Sequence, residues 1–186
     1  MKTICKFILW LSGWKVKGRL PRGIEKCVLI VAPHTSIWDF IIGRMGFSVY
    51  GFKGRFIIKK EFFFFPLGVL LKWLGAVPID RTKGATLIST AVSYFERHER
   101  FVLVITPEGT RKKTDHWKRG FHVIARKANV PVIIGTVDYK KKELDLVGEY
   151  MLTDDVETDL KHIQSFYLNV TAKYPEQYNL SPIYRN

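Results

Sequence analysis

Cys27-Val28-Leu29-Ile30-Val31-Ala32-Pro33-His34-Thr35-Ser36-Ile37-Trp38-Asp39 carries the clearest structural signal in this chain. Six apolar residues run without alternation, as in a strand covered on both faces, the usual state of a strand in a parallel sheet. Pro33 cannot donate to the ladder and ends the strand. Ser36, an oxygen-bearing cap directly before Ile37, Trp38 and Phe40, starts a helix. A buried strand that passes into a helix within four residues is the first half of a strand–helix–strand unit.

The same alternation extends in both directions. Short apolar strands are predicted at Phe56–Ile58, Ala76–Ile79, Phe101–Ile105 and Val132–Val137, and helices at 2–14, Pro66–Leu74, Gly84–His98, Phe121–Lys127 and Val156–Lys173. A mixed-charge segment containing Lys140 to Lys142 and Asp154 to Asp159 follows Val137, with no strand assigned to it. The expectation is an α/β fold, a single domain with a mostly parallel central sheet flanked by helices, whose sites lie where strands end. Residues 1–20 are set apart as an amphipathic membrane-interface segment, and 21–186 form the domain proper.

Composition bounds the partners. With 186 residues and 47% hydrophobic content the chain buries one sizeable core, and its formal charge of +13 calls for an anionic partner. Nucleic acid, an anionic membrane and an acidic carrier protein all satisfy that charge. An aromatic content of 14%, beside lysine and arginine, suits a bilayer interface better than a duplex. The N-terminal stretch, with Ile4, Phe7, Ile8 and Leu11 on one stripe among Lys2, Lys6, Lys15, Lys17 and Arg19, is expected to lie on a membrane surface; it lacks the cleavage site of a signal peptide. No apolar run reaches the ~20 residues needed to span a bilayer. The expected location is peripheral, on the cytoplasmic face of a membrane. Cys5 and Cys27 show no C-x-x-C spacing and fit a reducing compartment.

His34 in the strand–helix loop and Asp39 in the first helical turn can meet. A carboxylate that accepts one imidazole N–H leaves the other ring nitrogen as a proton acceptor, the base half of a Ser-His-Asp arrangement. Spacing alone equally allows His34 as a cap and Asp39 as an ordinary first-turn acid. A second polar group, Thr106-Pro107-Glu108-Gly109-Thr110-Arg111, again comes directly after a buried strand, and two strand ends in one sheet can face one cleft. Guanidinium at Arg81 and Arg111 offers a planar fork that matches phosphate oxygens, and Gly109 admits close backbone approach. Glu108, which phosphate would repel, is expected to hold an arginine or a glycerol hydroxyl. The other histidines have no metal-ligand spacing, so neither a metal nor a cofactor is expected.

In these motifs the sequence resembles the 1-acylglycerol-3-phosphate acyltransferases, the lysophospholipid acyltransferase family. His34 and Asp39 match an H-x-x-x-x-D block; Gly75 to Arg81 is similar to a second block; Pro107-Glu108-Gly109-Thr110-Arg111 looks like a third; Val130-Pro131-Val132-Ile133 starts a fourth. Pro33, Pro78, Thr106 and Gly135 depart from the family pattern. The resemblance implies that His34 is a general base with Asp39 as its partner, and that Arg81 with Glu108, Gly109, Thr110 and Arg111 binds the acceptor head group. It implies an acyl-carrier-protein or acyl-CoA donor, a lysophospholipid acceptor, an anionic membrane surface and no nucleic acid. The chain has no G-x-S-x-G elbow, so direct transfer without an acyl-enzyme is expected. The aromatic run Phe62 to Phe65 is too long for one core face, and part of it is expected to line an acyl groove or dip into lipid. Two alternatives stay open: the same chemistry on another lyso-lipid or an amino-acid lipid, and a non-catalytic basic protein that binds membranes or nucleic acid.

Overall fold

Six apolar residues in a row need two covered faces, and the chain supplies both. The computed structural model describes residues 1–79 and 87–180. Its elements are α1 (Lys2–Leu11), β1 (Lys15–Gly18), β2 (Lys26–Ala32), α2 (Ile37–Tyr50), β3 (Gly54–Lys59), α3 (Leu67–Leu74), β4 (Ala76–Ile79), α4 (Leu87–Arg97), β5 (Phe101–Ile105), α5 (Gly120–Ala128), β6 (Val132–Asp138), β7 (Glu143–Tyr150) and α6 (Val156–Ser165). Alternate residues of β2 serve opposite faces. Val28, Ile30 and Ala32 pack with Ala91 and Phe95 of α4, Phe121 and Ile124 of α5, and Leu160 and Ile163 of α6. Cys27 and Leu29 face the other way, toward Val102, Ile133 and Phe47 of α2. Leu9 of α1 joins this second face beside Ile42, Val137 and Leu144.

The strands are arranged in the order β1-β7-β6-β2-β5-β3-β4. β6, β2, β5, β3 and β4 are mutually parallel, whereas β7 runs antiparallel to β6 and carries β1 parallel to itself. The architecture is the expected α/β domain with a mostly parallel sheet between helical layers.

The sheet forks at β3. This strand pairs with β5 only at Gly54 and Arg55, then leaves it and pairs with β4 alone through Phe56 to Lys59.

Three expectations need correction. The mixed-charge segment contains β7, and the short β1 precedes β2; Lys15, Lys17, Glu143, Asp145 and Glu149 are poor strand formers individually, but β7 pairs with β6 on one side and with the edge strand β1 on the other, and a 2.8 Å Lys17–Glu143 ion pair joins β1 to β7. The last helix stops at Ser165, well short of Lys173, because Tyr167 turns inward, wholly buried, and its hydroxyl donates to the carbonyls of Gly135 and Ile30. α1 ends at Leu11, where Gly13 takes a left-handed conformation at φ +79°.

Candidate active site

His34 leaves the end of β2, and Glu108 leaves the end of β5, the neighbouring strand. Both therefore stand at the carboxyl edge of the parallel sheet. Ser36 caps α2: its hydroxyl accepts the Trp38 amide, and Asp39 reaches back to the Ser36 amide, forming a capping box. That local geometry fixes the carboxylate. Asp39 Oδ2 accepts the amides of Thr35 at 2.7 Å and Ser36 at 2.8 Å, and lies 3.4 Å from His34 Nδ1. Oδ1 accepts the Tyr139 hydroxyl at 2.7 Å. Burial by itself would raise the Asp39 carboxyl, yet the donors from His34, Tyr139, Ser36 and Thr35 outweigh it and hold it below the ordinary carboxylate range. Asp39 therefore stays ionised, which favours Nδ1–H as the donor and leaves His34 Nε2 bare.

Glu108 is almost fully buried. Its Oε1 accepts the His34 backbone N–H at 2.9 Å, while Oε2 has no hydrogen-bond partner among the described residues. Burial pushes its carboxyl up to about 7, against the pull of the His34 amide. Where an arginine or a glycerol hydroxyl was expected, the structure gives Glu108 the main chain of His34, clamping the β2 and β5 loops together. A contact between residues 74 positions apart leaves no local signal in sequence.

A cavity of about 630 Å³ opens at this edge. Ile37, Phe40, Gly43 and Phe47 line it from one stripe of α2, so the cavity runs along that helix for about 15 Å at 1.5 Å per residue. The opposite wall is the fork in the sheet, with Phe56 and Ile58 on the β3 side and Leu103 and Val104 on the β5 side. His34, Asp39, Thr106, Gly109, Arg111 and Lys118 supply its polar lining, gathered where β2, β5 and the start of α2 converge. Gly109 has φ +64°, a left-handed conformation that favours glycine; a Cβ there would come within 2.8 Å of the flexible end of the Lys118 side chain, which can move aside.

Of the residues expected at the site, His34, Asp39, Glu108, Gly109 and Arg111 are brought together. The Thr110 hydroxyl instead accepts the Lys112 amide within its own turn. Arg81 lies outside the described residues. Lys118 also lines the cavity. The cavity's aromatics are Phe40, Phe47, Phe56 and Phe121 rather than the Phe62–Phe65 run, of which Phe62, Phe64 and Phe65 are exposed. Tyr139 had no sequence signal at all, lying 100 residues from the acid it touches.

The comparisons agree with this architecture. The sequence matches the family described as Acyltransferase over residues 14–136. The fold is similar to that in the crystal structure of the 1-acyl-sn-glycerophosphate (LPA) acyltransferase PlsC from Thermotoga maritima, with a TM-score of 0.59 at 14% identity, covering 92% of this chain and 80% of that one. No curated protein matches the sequence. Matched along more than half its length, and folded as an α/β domain with its polar cleft at the sheet's carboxyl edge, the chain belongs to the acyltransferase family.

Proposed function

We propose that this acyltransferase moves a fatty acyl group from a thioester of acyl-carrier protein or coenzyme A to a hydroxyl of a lysophospholipid. The preferred acceptor is 1-acyl-glycerol-3-phosphate, which gives phosphatidic acid. The observation that carries this reading is the His34 imidazole, beside Asp39, at the polar end of a cavity that is otherwise apolar and about 15 Å long. The apolar length suits an acyl chain, and the polar end suits a reacting ester with a charged head group.

In this mechanism His34 Nε2 takes the proton of the acceptor hydroxyl as its oxygen attacks the thioester carbonyl. The tetrahedral intermediate collapses, the C–S bond breaks, and the imidazolium protonates the departing thiolate. Asp39 holds the tautomer and stabilises the imidazolium. Arg111 and Lys118, together with Arg81, bind the acceptor phosphate; Gly109 and Thr110 shape the turn that presents Arg111, and Glu108 secures the His34 main chain.

The same proposal places the protein peripherally on the cytoplasmic face of a membrane. Phe7, Trp10 and Leu11 of α1 are exposed, as are Phe64, Phe65 and Trp73 around α3. Residues 1–20 act as the interfacial segment and 21–186 as the acyltransferase domain. Among the described residues no helix is long and apolar enough to cross a membrane.

The test is direct. Purified protein is mixed with vesicles containing anionic lipid and a panel of lyso-lipids, then given acyl-carrier-protein and coenzyme A thioesters. Expected are phosphatidic acid as the chief product and flotation of the protein with the vesicles. A product formed only from an amino-acid lipid would move the acceptor assignment, and salt-sensitive DNA binding with no acyl transfer from any donor would refute the function.

A substitution checks the acyl cavity. A Cβ on Gly43 would meet nothing within 4 Å, so α2 tolerates a side chain there, and its ring would enter the cavity. Gly43→Phe is expected to lower kcat/KM for a palmitoyl donor by roughly tenfold or more while leaving a butyryl donor nearly unaffected. Equal losses on both donors would remove the cavity from the acyl path.

A further inference from the structure

The two oxygens of Asp39 are held by different parts of the chain. Oδ2 is shared among the Thr35 amide, the Ser36 amide and His34 Nδ1, all within the strand–helix loop. Oδ1 takes one donor among the described residues, the hydroxyl of Tyr139 at 2.7 Å. Tyr139 lies just beyond β6 and past the end of the family match at residue 136.

Its ring has little freedom. The Tyr139 amide donates to the Thr171 carbonyl at 2.9 Å, the Trp14 ring packs edge-on at 5.1 Å and 88°, and the Lys173 ammonium stands 5.8 Å from the ring centre. A hydroxyl fixed in this way donates to a carboxylate that is itself only 3% exposed, where a hydrogen bond orients strongly because water does not compete. Without it, Asp39 is oriented only through Oδ2, the oxygen that also serves His34. Turning the carboxylate then loosens the imidazole directly.

We propose that Tyr139 is a positioning residue for the catalytic pair: its hydroxyl fixes Asp39 so that Asp39 can fix His34. The proposal rests on the assignment of His34 as the base. It extends the site beyond the strand–helix loop to the turn between β6 and β7, and through Trp14 to the segment between α1 and β1.

Tyr139→Phe keeps the ring and its packing and removes one oxygen. Its kcat is expected to fall roughly tenfold, the lower end for loss of an orienting hydrogen bond, with KM changed by less than about twofold. In an Asp39→Ala background, read with a radiolabelled donor, removing the hydroxyl is expected to cost less than about a further twofold, because the group it acts through is gone. Thermal melts accompany each variant. A Tyr139→Phe enzyme with wild-type kcat beside a crippled Asp39→Ala enzyme overturns the positioning role. So do equal losses in both backgrounds, which mark a structural contribution independent of Asp39. If Asp39→Ala itself turns over at the wild-type rate, the catalytic-pair assignment fails instead, and the two failures are told apart in one set of assays.

Discussion

His34→Ala is expected to lower kcat by about 100- to 10,000-fold, the range a positioned general base contributes. The proposed reaction needs a proton taken from the acceptor hydroxyl, and the structure puts the His34 imidazole, beside Asp39, at the cavity's polar end. The fold should survive the change. The His34 side chain is 21% exposed, and its bond to Glu108 is made by the main-chain amide, which alanine retains. The melting temperature should therefore move by no more than about 4 °C, the shift that roughly 1 kcal/mol produces in a chain of this size. Single-turnover rates with saturating donor and acceptor, beside a melt, make the check. A variant that keeps within threefold or so of wild-type turnover would end the proposed mechanism.

Asp159→Ala is expected to cost about 3 to 5 kcal/mol of stability, because it takes the acceptor away from several buried donors at once, each costing about 1 to 3 kcal/mol when left unpaired. Asp159 is wholly buried and takes four donors: His122 Nε2 at 2.8 Å, the Tyr150 hydroxyl at 2.8 Å, and the Thr153 amide and hydroxyl, each at 2.9 Å. These bonds tie α6 to α5 and to the end of β7. Burial alone would raise its carboxyl; the hydrogen bonds from His122, Tyr150 and Thr153 outweigh that effect and lower it. A depressed folded pKa stabilises above the unfolded value, near 4, and the contribution is lost as pH falls through the folded value. The stability gap between wild type and Asp159→Ala, measured by urea unfolding with an unchanged slope, should be full at pH 7 and shrink below about pH 4. A gap that is small at pH 7, or constant down to pH 3, would show that the cluster does not carry this load.

How much of the molecule was legible in the chain depends on how far apart the partners lie. β2 declared itself through six apolar residues, and the start of α2 through Ser36, because burial on both faces and N-capping are local demands. His34 and Asp39 are five residues apart, so a loop and one helical turn suffice to pair them. Glu108 and Tyr139 reach the same site across 74 and 100 residues, and nothing near either residue encodes the destination. β7 was hidden for another reason: Glu143, Asp145 and Glu149 belong in a strand only because β6 offers an edge. The Phe62–Phe65 run stands out by its density, yet the cavity is walled by Phe40, Phe47, Phe56 and Phe121. Phe40 and Phe47 share a stripe of α2, but Phe56 on β3 and Phe121 on α5 join them only through the packing of helices on the sheet, which periodicity does not report. His122 showed no metal spacing and is a buried structural partner of Asp159.

The fork between β3 and β5 divides the molecule's inheritance. In the proposed mechanism the chemistry resides on β2, β5 and the start of α2, where hydrogen bonds join Asp39 to Thr35, Ser36 and Tyr139, and Glu108 to the His34 main chain. The outer leaf of β3, α3 and β4 joins that body through two rungs of ladder, the Arg44 side chain on the Leu74 carbonyl, and the packing of Ile57 and Val77 in the core, and it supplies apolar wall to the cavity. Substitutions on the leaf can therefore retune which chain is accepted while leaving the proton transfer as it was. One scaffold can diversify its lipid substrates along one edge and conserve its reaction along the other.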